Sequence, residues 1–224
     1  MVFQSIESLK RDSLANVILQ STKIFATENF SNLISKKNDF DYKIIKTKKS
    51  LVYKEIIANQ TYCYNETPAI DWVITSEKVK VDEFNCQKAY GYFGGRKWYA
   101  FFDVDNPLQV TPYKFYGLPG LVTMVYDEAN IFNWKLIGIS KNENFRLTEK
   151  NYMETQGFPT VKVDKIKFQK ILRNFVNNPY GNISEVFPYE DKNSAFMRNL
   201  LESEKKEKDL YKNKNYLEKV LLEK

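Results

Sequence analysis

The sequence has no histidine among its 224 residues and only two cysteines. Without an imidazole, neither a Ser–His nor a Cys–His pair can be assembled to activate a nucleophile. Two thiols with no histidine also fall short of the usual four-ligand zinc site. No run of 18 apolar residues occurs, which excludes a transmembrane helix. Met1 to Lys10 shows neither an apolar h-region nor a cleavage site, so no signal peptide is read in this sequence. Internal repeats and low-complexity linkers are absent. Charge of a single sign is lacking as well. The net charge is +6, but both signs are interspersed and no aromatic-basic module of a known kind is found. The expected partners therefore do not include nucleic acid, and the excess reads as a solvated basic surface.

Aromatic residues are plentiful. Phe (16) and Tyr (15) far outnumber Gly (8), and 43% of the chain is hydrophobic. This is the composition of half-buried pleated strands around a sizeable core. The most distinctive stretch is Phe115-Tyr116-Gly117-Leu118-Pro119-Gly120-Leu121-Val122. Pro119 fixes its own φ and biases Leu118 toward an extended backbone. Gly117 and Gly120 permit positive φ or a close approach of another segment. The stretch holds no Ser, Cys, Asp or Glu, so it reads as a sharp bend feeding a buried strand. It predicts burial of Leu118 and Leu121 and loss of stability on Gly120→Val.

The chain reads as one α+β domain over 1–224. A helical and irregular segment (1–38) precedes a large, curved, half-barrel-like antiparallel β-meander (39–163), and a helical segment (164–224) packs on the sheet. Leu9, Leu14, Val17, Ile18 and Ile24 follow a roughly helical period, and Phe25 to Lys37 is less regular. Tyr42–Lys46, Leu51–Ile57 and Thr61–Glu66 read as strands joined too tightly for parallel crossovers. Trp72 starts another strand, with a break at 75–78. Val79 to Phe93 reads as one long extended run with a bulge or bend near Asp82-Glu83. Gly94-Gly95 is the clearest hairpin turn. Leu121–Tyr126 and Ile131–Ile139 form a second hairpin, and Phe145-Arg146-Leu147 and Val161–Val163 are short extended pieces. Asp164 is an expected N-cap for a helix whose Phe168, Ile171, Leu172, Phe175 and Val176 form one stripe. A second, very polar helix falls within 192–224, and its tail, with Leu217, either docks or frays.

The candidate sites are few. Asp103, Asp105, Asp127 and Glu128 are the best-placed carboxylates. An i, i+2 pair could hold a hard cation with carbonyl help, but a full calcium loop is not present and a turn rich in Asp and Asn explains them. Cys63 and Cys86 read as buried free thiols, or as one disulfide if their strands are neighbours. Arg96, beside Trp98 and Tyr99, could clamp an anion or stack on a ring, or simply keep a hairpin tip soluble. Trp98 and Phe102 share one strand face, and Phe132 and Trp134 share another. These apolar faces imply core packing or a concave pocket, with Arg96, Trp98, Phe102 and Trp134 as ligand-facing candidates. No catalytic residue, cofactor or metal site is assigned.

Gly117 to Leu121 resembles, letter by letter, the motif of the GLPGLI family of Bacteroidetes proteins, with Val122 in place of the usual Ile. Asp71-Trp72-Val73-Ile74, Phe84-Asn85-Cys86-Gln87-Lys88-Ala89 and Gly95-Arg96-Lys97-Trp98-Tyr99-Ala100 also resemble family segments. Thr111-Pro112-Tyr113-Lys114-Phe115 resembles its lead-in, with Thr where the family has Gly. Asp39 to Ile44 is similar as well, so the resemblance covers roughly residues 3 to 218. Phe3-Gln4-Ser5 and Asp12-Ser13 resemble a segment that in the family follows an exported leader and a first pair of strands, neither of which is read in this sequence. A sheet lacking those strands would have an exposed edge. The resemblance implies a periplasmic or cell-envelope protein of unknown biochemical role. It also implies a sheet similar to the half-barrel of bacterial lipoprotein carriers. The expected function is non-enzymatic binding of a hydrophobic or lipid-like ligand. The alternatives are a structural or interaction protein acting with an outer-membrane TonB-dependent receptor and, least, a carboxylate-dependent enzyme.

Overall fold

The computed structural model describes residues 1–20, 42–47, 50–58, 60–67, 70–139, 149–155, 157–181, 194–213 and 217–218. The expectations for Phe25 to Lys37 and for Phe145-Arg146-Leu147 lie outside these residues. A short strand β1 (Val2–Gln4) leads into helix α1 (Ile6–Gln20). Four strands follow in sequence: β2 (Tyr42–Lys46), β3 (Leu51–Ile57), β4 (Gln60–Glu66) and β5 (Val73–Val81). Then come β6 (Phe84–Phe93), β7 (Arg96–Asp103), β8 (Leu121–Asp127) and β9 (Asn133–Lys135). The chain continues through helix α2 (Tyr152–Thr155), strand β10 (Val161–Lys162), helix α3 (Lys165–Asn177) and helix α4 (Ala195–Asn213).

The fold is α+β, and its antiparallel strands divide into two open five-stranded sheets. The first has the order β1-β2-β3-β4-β10 and the second β5-β6-β7-β8-β9. Every ladder is antiparallel except β10 beside β4, where Val161 pairs with Tyr62. The Gly94-Gly95 turn closes the β6–β7 hairpin with Phe93 opposite Arg96, and both glycines have positive φ (59° and 76°). The expected long extended run from Val79 to Phe93 is instead a hairpin. Asp82-Glu83 turns the chain, Val81 pairs with Phe84, and Asp82 takes φ 51°. Asp tolerates the left-handed region, so the turn forms without a glycine to announce it. The expected break at 75–78 is a register shift within β5. The Ile131–Ile139 strand shrinks to the three residues of β9. Phe132 and Trp134 pack on the main core, whereas Ile131, Ile137 and Ile139 are exposed.

The largest core among the described residues lies between the two sheets and α3. It joins Ile44, Leu51, Tyr53 and Tyr64 of the first sheet to Ala89, Trp98, Ala100, Phe102 and Val125 of the second. Helix α3 adds Phe168, Leu172 and Val176. Asp164 caps that helix by accepting a 2.7 Å hydrogen bond from Lys167 N–H. The segment between Asp103 and Leu121 supplies Tyr113, Phe115, Tyr116 and Leu118 to the same core. Tyr113 meets Tyr42 at 5.5 Å, and Phe115 meets Trp98 at 4.6 Å between ring centroids. Burial of each large apolar side chain of this kind is worth about 1.5 to 3 kcal/mol. The segment is thus the mortar between the sheets.

Candidate functional site

The glycine-bracketed bend ends that segment, and its geometry is backbone geometry. Gly117 has φ 110° and Gly120 has φ 126°. A Cβ on Gly120 would stand 2.1 Å from the carbonyl oxygen of Asp103, so only glycine fits. Trp72 donates its indole N–H to the Tyr116 carbonyl at 3.0 Å, and Thr111 donates its hydroxyl to the Phe115 carbonyl at 2.9 Å. Leu118 and Leu121 are buried, as the bend requires. The Lys46 ammonium sits 4.0 Å above the Tyr116 ring, and burial pushes the Tyr116 hydroxyl up to about 12.

Four residues before Leu118, the bend positions an ammonium in the core. Lys114 has no exposed side-chain surface. Its Nζ lies 2.6 Å from Glu218 Oε1, donates to the Tyr64 hydroxyl at 2.9 Å, and forms an ion pair with Glu66. The rings of Tyr53, Tyr64 and Tyr113 surround it at 4.7 to 5.2 Å. Lys165, in the first turn of α3, bridges Glu66 (2.7 Å) and Glu218 (3.0 Å). Tyr113 donates its hydroxyl to Glu218 Oε1 at 2.6 Å. Burial alone would push the Glu218 carboxyl up. The charges of Lys114 and Lys165, with hydrogen bonds from Lys114 and Tyr113, outweigh it and hold the group at about 2. Burial raises the hydroxyls of Tyr53, Tyr64 and Tyr113. Sequence reasoning missed this cluster. The available signal was Lys114 itself, a lone charge inside the aromatic run Tyr113 to Tyr116, because a charge in such a run must be buried with partners.

A second buried ion pair, Asp12–Lys43 at 2.8 Å, ties α1 to β2. Asp12 also accepts the Tyr152 N–H at 2.7 Å, and Lys43 donates to the Lys150 carbonyl at 2.8 Å.

The ligand-facing candidates come together, but inside the core. Trp98 and Phe102 are fully buried. Trp98 packs on Trp134 at 5.9 Å and on Phe132 at 6.2 Å. Arg96 is buried too. It pairs with Asp127 at 3.0 Å, and its guanidinium lies 5.1 Å from the Phe132 ring centroid. Asp127 also accepts the Phe132 N–H at 2.8 Å, which fixes the β8–β9 turn. The other carboxylates are scattered. Asp103 accepts the Asp105 N–H at 3.1 Å, and Glu128 pairs with Lys97 on the surface at 3.3 Å. Among the described residues no three His, Cys, Asp or Glu converge as a metal site. Cys63 and Cys86 are free and buried in different sheets, and burial raises both thiols. No described helix is long and apolar enough to cross a membrane.

Outside the core, a shallow groove of about 560 Å³, wide open to solvent, lies where the C-terminal half of α3 faces the β3–β4 hairpin. Ile57, Ala58, Tyr62, Ile171, Phe175 and Pro179 give it an apolar lining, and Asn174, Asn177 and Asn178 contribute amides.

No family model matches the chain, and no curated protein matches it. Among solved structures it is similar to PNGF-II in two crystal forms. Identity is 12%, the TM-scores are 0.40 and 0.39, and the match spans 58% of this chain and 24% of that one. A similarity this slight carries no inference about activity.

Proposed function

We propose that this chain is a GLPGLI-type, non-enzymatic protein of the cell envelope that binds a hydrophobic or lipid-like ligand, and that the ligand lies in the groove along α3. The observation that carries this reading is the groove itself. Its volume of about 560 Å³ falls within the usual range for small-molecule sites, about 300 to 1,000 Å³. Its lining is mainly apolar, with amides from Asn174, Asn177 and Asn178 to orient a polar end. The space between the sheets, by contrast, is occupied by Trp98, Phe102, Phe115 and Phe168, each fully buried. Carboxylate catalysis finds less support, since Asp127 and Glu218 are engaged in buried ion pairs.

Native mass spectrometry of gently purified protein should show a lipid adduct. A neutral apolar fluorophore such as N-phenyl-1-naphthylamine should bind, and Ile171→Asp should weaken it about tenfold, which corresponds to about 1.4 kcal/mol. An unchanged probe affinity in folded Ile171→Asp sinks the groove assignment.

A second reading, an interaction protein acting beside an outer-membrane TonB-dependent receptor, is favoured by the apolar side chains around β9. Ile137 is 99% exposed, and Ile131 and Ile139 are exposed beside it. Ile137→Lys should then reduce receptor capture without altering probe binding.

A further inference from the structure

The buried cluster has the composition of a carboxylate-binding site whose ligand is supplied by the chain itself. Glu218 is separated by more than a hundred residues from Lys114 and by about fifty from Lys165. Its carboxylate receives three donors: the Tyr113 hydroxyl at 2.6 Å, Lys114 Nζ at 2.6 Å and Lys165 Nζ at 3.0 Å. Without Glu218 the cluster holds two ammonium groups against one carboxylate, Glu66. A buried excess positive charge calls for an anion. The neighbouring Leu217 side chain is buried in the main aromatic core. The backbone of Glu218 passes so close to Gly94 that a Cβ there would meet it at 2.8 Å. The occupant is therefore an apolar group followed by a carboxylate, laid across the Gly94-Gly95 hairpin tip.

We infer that Tyr113, Lys114 and Lys165 form a binding site for an aliphatic carboxylate, which Leu217 and Glu218 fill in the ligand-free protein and which such a ligand opens by displacing them. The recognition chemistry is a single carboxylate at two ammonium groups and a phenol hydroxyl, with an alkyl chain replacing Leu217 among the aromatic rings. The site stands apart from the α3 groove and does not rest on it. Lys165 begins α3, and the groove lies along that helix's other half.

The test uses the full chain with octanoate as probe and octanol as its uncharged counterpart. Hydrogen exchange in the peptide carrying Leu217 and Glu218 should accelerate about tenfold with saturating octanoate, because a ligand that binds only the opened form populates it by mass action. Octanol should leave it unchanged, and Lys165→Met should weaken the octanoate response. In Glu218→Ala the site is vacated, so octanoate should raise the melting temperature where octanol does not. Ile171→Asp should leave all these responses intact, which separates a failure of this site from a failure of the groove. Equal effects of octanoate and octanol on wild-type exchange, or no effect of either, overturn the inference. The wild-type measurement decides the matter even if Glu218→Ala does not fold.

Discussion

Two of the buried ion clusters, Lys114–Lys165–Glu66–Glu218 and Asp12–Lys43, respond to burial in opposite ways. At Glu218 two ammonium groups and a phenol overcome desolvation and hold the carboxyl at about 2. At Asp12 desolvation is the larger influence. The carboxyl is raised despite Lys43 and Arg11, and the Lys43 ammonium is lowered despite Asp12. The Glu218 and Asp12 side chains are each only 1% exposed, so burial of the carboxylate does not separate them. What separates them is the number of donors in direct contact, three on Glu218 (Tyr113, Lys114 and Lys165) and two on Asp12 (Lys43 and the Tyr152 N–H), the remaining charge at Asp12, Arg11, acting from further away. The first cluster favours its charged state, and the second bears an electrostatic cost while it fixes where α1 sits on the sheet.

The largest change should come from the bend that presents Lys114. Gly120→Val places a Cβ against the Asp103 backbone and a β-branched residue at φ 126°, and neither can relax cheaply. A loss of more than about 4 kcal/mol is expected, seen as a melting temperature lowered by about 10 °C or more. An unchanged melting temperature would falsify the assignment of the bend to backbone geometry. Next comes Lys114→Met, which leaves Glu66 and Glu218 facing one another with only Lys165 between them. Removing one partner from a buried pair costs about 3 to 5 kcal/mol, measurable by urea unfolding at neutral pH.

Acid sharpens the contrast. The folded value for Glu218 lies below its unfolded value, so its stabilisation is fully present above the ordinary carboxylate range and is lost as pH falls toward 2. The shift amounts to about 3 kcal/mol. Asp12 has the opposite sign. Its folded value is raised, so its contribution weakens as pH rises from the ordinary Asp range through that value. Between pH 6 and pH 2, Glu218→Gln should flatten the loss of stability and Asp12→Asn should steepen it. Parallel pH profiles for the two variants contradict the comparison.

Much of the fold was legible because its signals are local. The Asp164 cap, the Phe168–Leu172–Val176 stripe, the Gly94-Gly95 turn and the bounds of β2 and β3 each depend on a few adjacent residues. The division into two sheets is not local, since the neighbour β4 takes beyond β3 is β10, a hundred residues later, and not the next strand β5. Asp82-Glu83 reads as a bulge or bend and not as the full hairpin turn it is, because it uses Asp where glycine would mark a turn. The exposed isoleucines beside β9 follow an alternating pattern that reads as a longer strand until its missing cover is seen. The candidate site was least legible. Arg96, Trp98, Phe102 and Trp134 show an aromatic, basic pattern that suits either a pocket or a core, and burial decides between those only once the sheets are placed. Glu218 sits in a charge-rich tail whose local spacing gives no reason to place its carboxylate beside Lys114.

The smallest effect is expected where charge is least well compensated. Asp12→Leu alone removes the carboxylate beside a buried ammonium, and Lys43→Met alone removes the ammonium beside a buried carboxyl; each should cost about 3 kcal/mol or more. The double change removes both desolvation penalties and replaces them with apolar side chains. Because burial already pushes Asp12 up and Lys43 down, little net attraction is lost. The remaining cost is the pair of hydrogen bonds to Tyr152 N–H and the Lys150 carbonyl, about 1 kcal/mol each, offset by the added apolar burial. The double variant should therefore fall within about 1 kcal/mol of wild type, with a large coupling energy in the double-mutant cycle. The matching pair of changes at Lys114 and Glu218 should show no such recovery, because Lys165, Glu66 and Tyr113 would remain in place with their network broken. Additive losses at Asp12 and Lys43 would show that the two clusters are energetically alike.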